Sequence, residues 1–435
     1  MRWQQLLSTE RHGHHTPAVQ ELGRSHFHKD HDRIVFSSAF RRLSGKTQVH
    51  PLSLNDHVHT RLIHSVEVGS VGRSLGLRVG ERIAAELPPW CQPDDIGVIV
   101  QAACLAHDIG NPPFGHAGEY AIQDWFRQQT HLLSSLSTLE QDDLKHWEGN
   151  AQGLRLVAQI EQHLYGGGLR LTYPTLASLI KYPWTVQHRT QKGKFACFQS
   201  EAEVLHTVAA KLGLSSPELG YWRRHPLSYL MEAADDICYA IIDLEDAVEL
   251  NILEFAEVRD LLCRINPEAE LAIAQDERHS PLRQLGAIRG KAMQVIIDAV
   301  TEAFMTHQDS ILAGTLEGDL LAHCPQSVVA GIAEAKSIAQ RKIFKDRRKT
   351  EIEIGAYGTL STLLEAFMHA GHELHQVGGS QLSYRSRRII DLMQHEAPHA
   401  DQSLYTIYQR MLDFITRQTD QYATALARQI SGAAR

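Results

Sequence analysis

Cysteine is sparse and shows no pairing pattern. Cys91, Cys104, Cys197, Cys238, Cys263 and Cys324 are scattered over 435 positions without a CxxC pair. Several fall inside apolar helical patterns, so buried free thiols in a reducing compartment are expected rather than disulfides. Long apolar runs are missing too. Stretches such as "IGVIVQAACLA" fall far short of the ~20 residues that span a bilayer. The N-terminus "MRWQQLLSTERHGHH" has no apolar core of the kind a signal peptide carries. The expectation is a soluble, cytoplasmic protein with no membrane partner. Basic charge is not in excess either: 43 Lys and Arg face 51 Asp and Glu, a formal charge of −8. That balance argues against a generally nucleic-acid-binding surface and leaves local basic patches open. Internal repeats and low-complexity tracts are absent, and strand signals are few.

What is present is ordinary in bulk, with 43% apolar and 22% charged residues, as in soluble globular proteins. The length leaves room for two or three domains. Histidines number 26, but abundance alone says nothing about metal. Helical periodicity dominates. "TRLIHSVEVGSVGRSLGLRVGERIAAEL" reads as one long helix whose glycines admit a closely packed neighbour. Asp94 and Asp95 open an almost wholly apolar helix, and another, "PLSYLMEAADDICYAIIDLEDAVEL", is entered after Pro226. "YGGGLRLTYPT" alternates after three glycines and suggests a small β-hairpin. Soft breaks fall near Pro217, Pro267, Pro281 and Pro325. A mainly α protein follows, with an N-terminal region and core over 1–255 and a helical C-terminal part over 256–435 that includes a basic segment, 341–349.

The most informative stretch is "CLAHDIGNPPFGHAGEYAI", Cys104 to Ile122. Imidazole and carboxylate together suit a hard divalent cation. Adjacent His107 and Asp108 point about 100° apart on an ideal helix, so both reach one ion only at a helix end. Gly110, Pro112 and Pro113 supply that end. Alone, the pair reads equally as an ordinary C-cap, with histidine near the negative end of the dipole. His64 lies among the core-facing residues of the first long helix. Asp235 lies in an apolar helix where an unpaired carboxylate is costly to bury.

The order His64, His107–Asp108, Asp235 resembles the HD superfamily of metal-dependent phosphohydrolases. The surrounding words are more specific. "SSAFRRLSGKTQV", "TRLIHSVEV", "HDIGNPPFGHAGE", "WEGNAQG", "LRLTYPTLAS" and "EAADDICYAIIDLEDA", with the later "YGTL" and "YRSRRIIDLM", resemble the deoxyguanosinetriphosphate triphosphohydrolase family. The resemblance implies an HD-domain helical fold and hydrolysis of a dGTP-like deoxynucleoside triphosphate (dNTP) to deoxynucleoside and intact triphosphate, by water attack on the α-phosphorus. It implies one divalent ion per active site, Mn, Mg, Fe, Ni or Co, on His64, His107, Asp108 and Asp235. The motif takes the first residue of the Asp235–Asp236 pair.

By the same resemblance His116 is the catalytic histidine with Glu119 as its partner, acting as acid or positioning the nucleophile; without it the two merely cap a helix. Tyr239 is placed under the deoxyribose and Asp243 near its 3′-hydroxyl, both four-residue steps from Asp235 on one helical face. Gln48 contacts sugar, Arg61 and Lys181 meet phosphate, and Glu148, Asn150 and Gln152 line the site. Taken alone, Tyr239 reads as a core aromatic, Asp243 as a solvated position, and Arg61 and Lys181 as surface salt partners. Two departures bear on nucleotide preference and effector response: His31 and His59 stand where arginine is expected, each removing a fixed positive charge. The cluster Arg341, Lys342, Lys345, Arg347, Arg348 and Lys349 reads as surface; its other reading is a site for an effector dNTP or single-stranded DNA. A homo-oligomer is implied by resemblance alone. His369, His372 and His375 lack an assigned carboxylate and read as a solvated helix face. Rival functions are an HD-domain nucleotidase or phosphodiesterase with another substrate, and a nucleotide- or single-stranded-DNA-binding regulator with vestigial activity.

Overall fold

Glycine spacing explains the tightest helix pair. In the computed structural model, which describes residues 1–13, 21, 23–48, 59–161, 166–215, 221–272 and 280–433, helix α1 (Arg61–Arg82) lies along α2 (Pro93–Ala106). A Cβ on Gly72 would sit 2.4 Å from the Cys104 sulfur, and one on Gly80 would sit 2.4 Å from the Pro93 carbonyl. The missing side chains are the space into which α2 packs. Helix α1 starts where the Thr60 hydroxyl accepts from the Ile63 amide. Helix α2 starts at Pro93, with Asp95 accepting from the Gln92 amide, both ordinary N-terminal devices. From Ile96 to Ala106, α2 is buried on every side except at Gln101, each fully buried Ile, Val or Leu contributing about 1.5–3 kcal/mol.

The chain then turns. Helix α3 (His116–Gln128) begins after a segment in which Phe114 and Gly115 both have positive φ, 65° and 57°. Helix α4 (Gly149–Arg155) follows, with Glu148 as its N-cap. It crosses Gly110 so closely that a Cβ there would meet the Gly149 carbonyl at 2.1 Å and the Gly153 amide at 2.2 Å. Helix α5 (Pro226–Glu249) lies against both α1 and α2. Two apolar cores result. One gathers α1, α2 and α5 with helices up to residue 343. The other joins α3 to three C-terminal helices, α6 (Arg347–Val377), α7 (Leu404–Thr416) and α8 (Asp420–Ser431).

The fold is 71% helical, and among the described residues there is no sheet, only isolated bridges. The expected hairpin does not form: Thr172 makes a single bridge to Arg11, and Tyr165 and the break at Pro217 lie outside the described residues. The physical reason is tertiary. Thr172 gives its amide and hydroxyl to the buried Asp30 at 3.0 and 2.6 Å. The flanking backbone bonds run to residues 10–12, Tyr173 to the Glu10 carbonyl and His12 to the Leu171 carbonyl, so the segment pairs with the distant N-terminus and not with a neighbouring strand. All six cysteines are free. No helix among the described residues is long and apolar enough to cross a membrane.

Candidate active site

Three helices bring three donor atoms together. His64 comes from the first turn of α1, His107 caps α2, and Asp235 sits in the middle third of α5. Asp235 Oδ1 lies 3.3 Å from His64 Nε2 and 3.5 Å from His107 Nε2. Such gaps suit neighbouring donors around one ion about 2.1 Å from each. His107 Nδ1 lies 2.6 Å from the Cys104 carbonyl and donates to it, which fixes the ring with Nε2 toward the cluster. Asp108 stands at the side: its Oδ1 is 3.5 Å from His107 Nε2, while its Oδ2 accepts from Arg61 Nη1 at 2.6 Å. Asp236 turns instead to Lys336, 3.3 Å away.

The electrostatics favour an added cation. Burial pushes His107 down, but Asp108 and Asp235 outweigh it and raise its pKa to about 9. Burial opposes ionisation of Asp108 too, yet Arg61 and His107 hold it at about 2. Asp235 is likewise held well below the carboxylate range, against its burial, chiefly by His107. Two buried carboxylates thus draw positive charge onto His107, which a divalent ion would supply in its place. His64, His107 and Asp235 form the one metal-capable group of three or more found among the described residues. The donor set fits a metal.

A second cluster faces the first. His116, at the start of α3, has a side chain 71% exposed, and its Nδ1 lies 2.8 Å from Glu119 Oε2. Glu119 is buried; its Oε1 accepts from the Gly149 amide at 2.9 Å. Lys194 Nζ lies 2.5 Å from Glu148 and 3.5 Å from Glu119. Burial works against the Glu119 charge, but His116 and Lys194 hold its pKa at about 2. Burial and the neighbouring Glu119 push Glu148 up. Of two carboxylates sharing one lysine, the one bonded to the histidine is held low and the other is pushed up.

Both clusters open into one cavity of about 460 Å³. Gln48, Arg61, His64, His107, Asp108, His116, Glu119, Asn150, Lys181, Asp235 and Tyr239 line it. Glu148 does not; it stands behind Asn150 and Lys194, accepting from both. Gln152 is also turned away, donating to Asp413 at 2.9 Å. Asp243 is outside the lining as well. Eight residues from Asp235 advance a helix by about 12 Å and about 80°, so the shared face has turned away. It is buried, and its Oδ2 has no hydrogen-bond partner among the described residues. Lys181 lies 3.4 Å from Glu232 and 3.9 Å from Asp235. Burial lowers its pKa, but these carboxylates overcome that and raise it.

Three features escaped the sequence reading. Lys194 sits in a loop with no periodicity to single it out. Lys349 is not surface: it lines the cavity, its Nζ 4.1 Å from the Phe344 ring centre and 3.5 Å from Glu353. Arg341, Lys342, Lys345 and Arg347 of the same cluster are exposed. His59 does not surrender the charge expected of arginine. Its Nδ1 meets Asp246 at 2.5 Å and its Nε2 meets Glu67 at 3.2 Å. These bonds raise its pKa to about 10. The histidines of 367–376 are engaged locally: His369 with Glu365 at 3.0 Å and His372 with the Tyr408 hydroxyl at 2.8 Å.

The HD domain family profile matches residues 61–182. The chain is 51% identical to a deoxyguanosinetriphosphate triphosphohydrolase-like protein of Pseudomonas aeruginosa, over 99% of each chain. It is 39% identical to one from Synechocystis sp., again over 99% of each. It is also 31% identical to the deoxyguanosinetriphosphate triphosphohydrolase of Salmonella typhimurium, over 78% of this chain and 76% of that one.

Proposed function

The chain belongs to the deoxyguanosinetriphosphate triphosphohydrolase-like family of HD-domain hydrolases, and from that premise we propose that it cleaves a dGTP-like dNTP to deoxynucleoside and triphosphate. Water adds to the α-phosphorus, the bond from phosphorus to the 5′-oxygen breaks, and that oxygen takes up a proton. One observation carries the reading: donors for a cation, the His116–Glu119 pair and the cations Arg61, Lys181 and Lys194 all line one cavity.

His64, His107, Asp108 and Asp235 would hold a divalent ion of the Mn, Mg, Fe, Ni or Co type. Such an ion, when bound, polarises phosphate and lowers the pKa of bound water. Glu119 accepts from His116 Nδ1 and orients the ring. In the imidazolium form, which the Glu119 carboxylate would favour, Nε2 carries a second proton and gives it to the departing 5′-oxygen, an alkoxide that is a poor leaving group unaided. Arg61, Lys181 and Lys194 neutralise the triphosphate. Arg61 still has a buried Nε without a partner among the described residues, which a phosphate oxygen would satisfy. Tyr239 closes the sugar end, where a 2′-hydroxyl would have no room. Gln48, whose buried Oε1 lacks a partner among the described residues, accepts from a sugar hydroxyl. Asn150 faces the phosphates with Glu148 behind it. Asp243 reaches the 3′-hydroxyl only through a shift of Tyr239 or a bridging water.

The test is product analysis with purified protein, Mn²⁺ or Mg²⁺, and each dNTP singly and mixed. Triphosphate as the initial product supports the reading. Orthophosphate alone points to a nucleotidase and overturns it. Activity confined to mixtures identifies control by an effector nucleotide.

A further inference from the structure

The two loops that deliver cavity residues are tied to the same point in the C-terminal helices. Asp420, the first residue of α8, is 1% exposed. Its Oδ1 accepts from the Phe114 amide at 2.9 Å. Its Oδ2 accepts from the Thr47 amide at 3.0 Å and the Thr47 hydroxyl at 2.7 Å. Thr47 precedes Gln48 in the chain, and Phe114 lies two residues before His116. Lys46, 2% exposed, makes the same connection from the other side. Its ammonium donates to the Asn111 carbonyl at 2.5 Å and the Thr416 carbonyl, at the end of α7, at 2.7 Å. Lys46 also accepts, through its carbonyl, from the Arg61 amide at 3.0 Å.

Phe114 is held at φ 65°, a conformation that L side chains adopt only when the surroundings impose it. Its amide, pointing away from any helical partner, is satisfied by Asp420. A carboxylate is the side chain this junction needs, because both oxygens must accept. Asparagine offers one accepting oxygen and turns an NH₂ toward a donor on the other side.

We propose that Asp420, with Lys46 as the second post, is a positioning residue for hydrolysis, fixing the turn that presents His116 and the segment that presents Gln48. It touches neither substrate nor metal donors. The proposal rests on the function stated above for its kinetic consequence; its structural half does not.

The test compares wild type with Asp420→Asn and the milder Thr47→Val, using Mn²⁺ and the preferred dNTP. Asp420→Asn should lower kcat at least tenfold, with Mn²⁺ affinity within twofold of wild type. Amide exchange at Thr47 and Phe114 should rise while that of α1 and α2 does not. Thr47→Val, which keeps the amide bonds, should lower kcat two- to fivefold. A kcat within twofold for Asp420→Asn, or a loss matched by loss of Mn²⁺ affinity, overturns the positioning role. If Asp420→Asn does not fold, Thr47→Val decides: unchanged kcat and unchanged exchange overturn it. Inactive wild type with the predicted exchange change refutes the function while leaving the tether standing.

Discussion

Replacing Glu119 by glutamine tests the proton-transfer half of the site without disturbing the metal half. Glutamine can still accept from the Gly149 amide, which bonds Glu119 at 2.9 Å, so α4 stays in place. Lys194 keeps its nearer partner, Glu148, at 2.5 Å. What is lost is the charge-assisted bond from His116 Nδ1, 2.8 Å long. Such a bond is worth about 1.5–3 kcal/mol, and at 1.36 kcal/mol per decade that becomes about a 10- to 150-fold loss in kcat. Removing the histidine should cost more, about 10²–10⁴-fold. Steady-state kinetics on dGTP with Mn²⁺ should therefore show Glu119→Gln lowering kcat with little change in KM or Mn²⁺ affinity. His116→Ala and the double variant should agree within about threefold, because the carboxylate acts through the ring. A Glu119→Gln enzyme retaining half of wild-type kcat would refute the reasoning. So would fully additive losses in the double variant.

The remaining predictions concern the donors and the charge at His59. Asp235→Asn should weaken Mn²⁺ binding at least tenfold, since even indirect partners of a metal site cost about 10–100-fold; Asp236→Asn should change it less than threefold. Calorimetric titration distinguishes them, and equal losses would contradict the choice of Asp235. His59 has its pKa raised by the bonds to Asp246 and Glu67 from 6.5 to about 10. Its stabilisation is then complete below pH 6.5 and is lost as pH rises through about 10. After solvent screening of the half-buried cluster this amounts to about 2 kcal/mol. Thermal melts of wild type should fall more steeply from pH 7 to 10 than those of His59→Gln; parallel curves would remove the assigned charge.

The legible parts of this molecule are those governed by local rules. The long helices announce themselves through apolar periodicity and their starting residues. The glycine spacing of α1 foretells a close neighbour, and the break at Gly110 to Pro113 forces a turn between two groups of polar residues. Gly110 has a second role that spacing does not reveal: α4 crosses its backbone with no room for a Cβ. The hairpin expected within residues 165–175 failed because Asp30 claims the donors of Thr172 and the backbone on either side bonds to residues 10–12. Lys194 and Lys349 are single cations whose importance lies in what they face. The Asp420 tether joins positions more than 300 residues apart, and no local pattern encodes it.

The most direct test of the central claim is hydrolysis of dGTP in ¹⁸O-labelled water, with products resolved by ion exchange and mass spectrometry. Attack of water on the α-phosphorus predicts deoxyguanosine without label and triphosphate carrying one ¹⁸O. Label in the 5′-hydroxyl of the nucleoside, or orthophosphate as the first phosphate product, would contradict it.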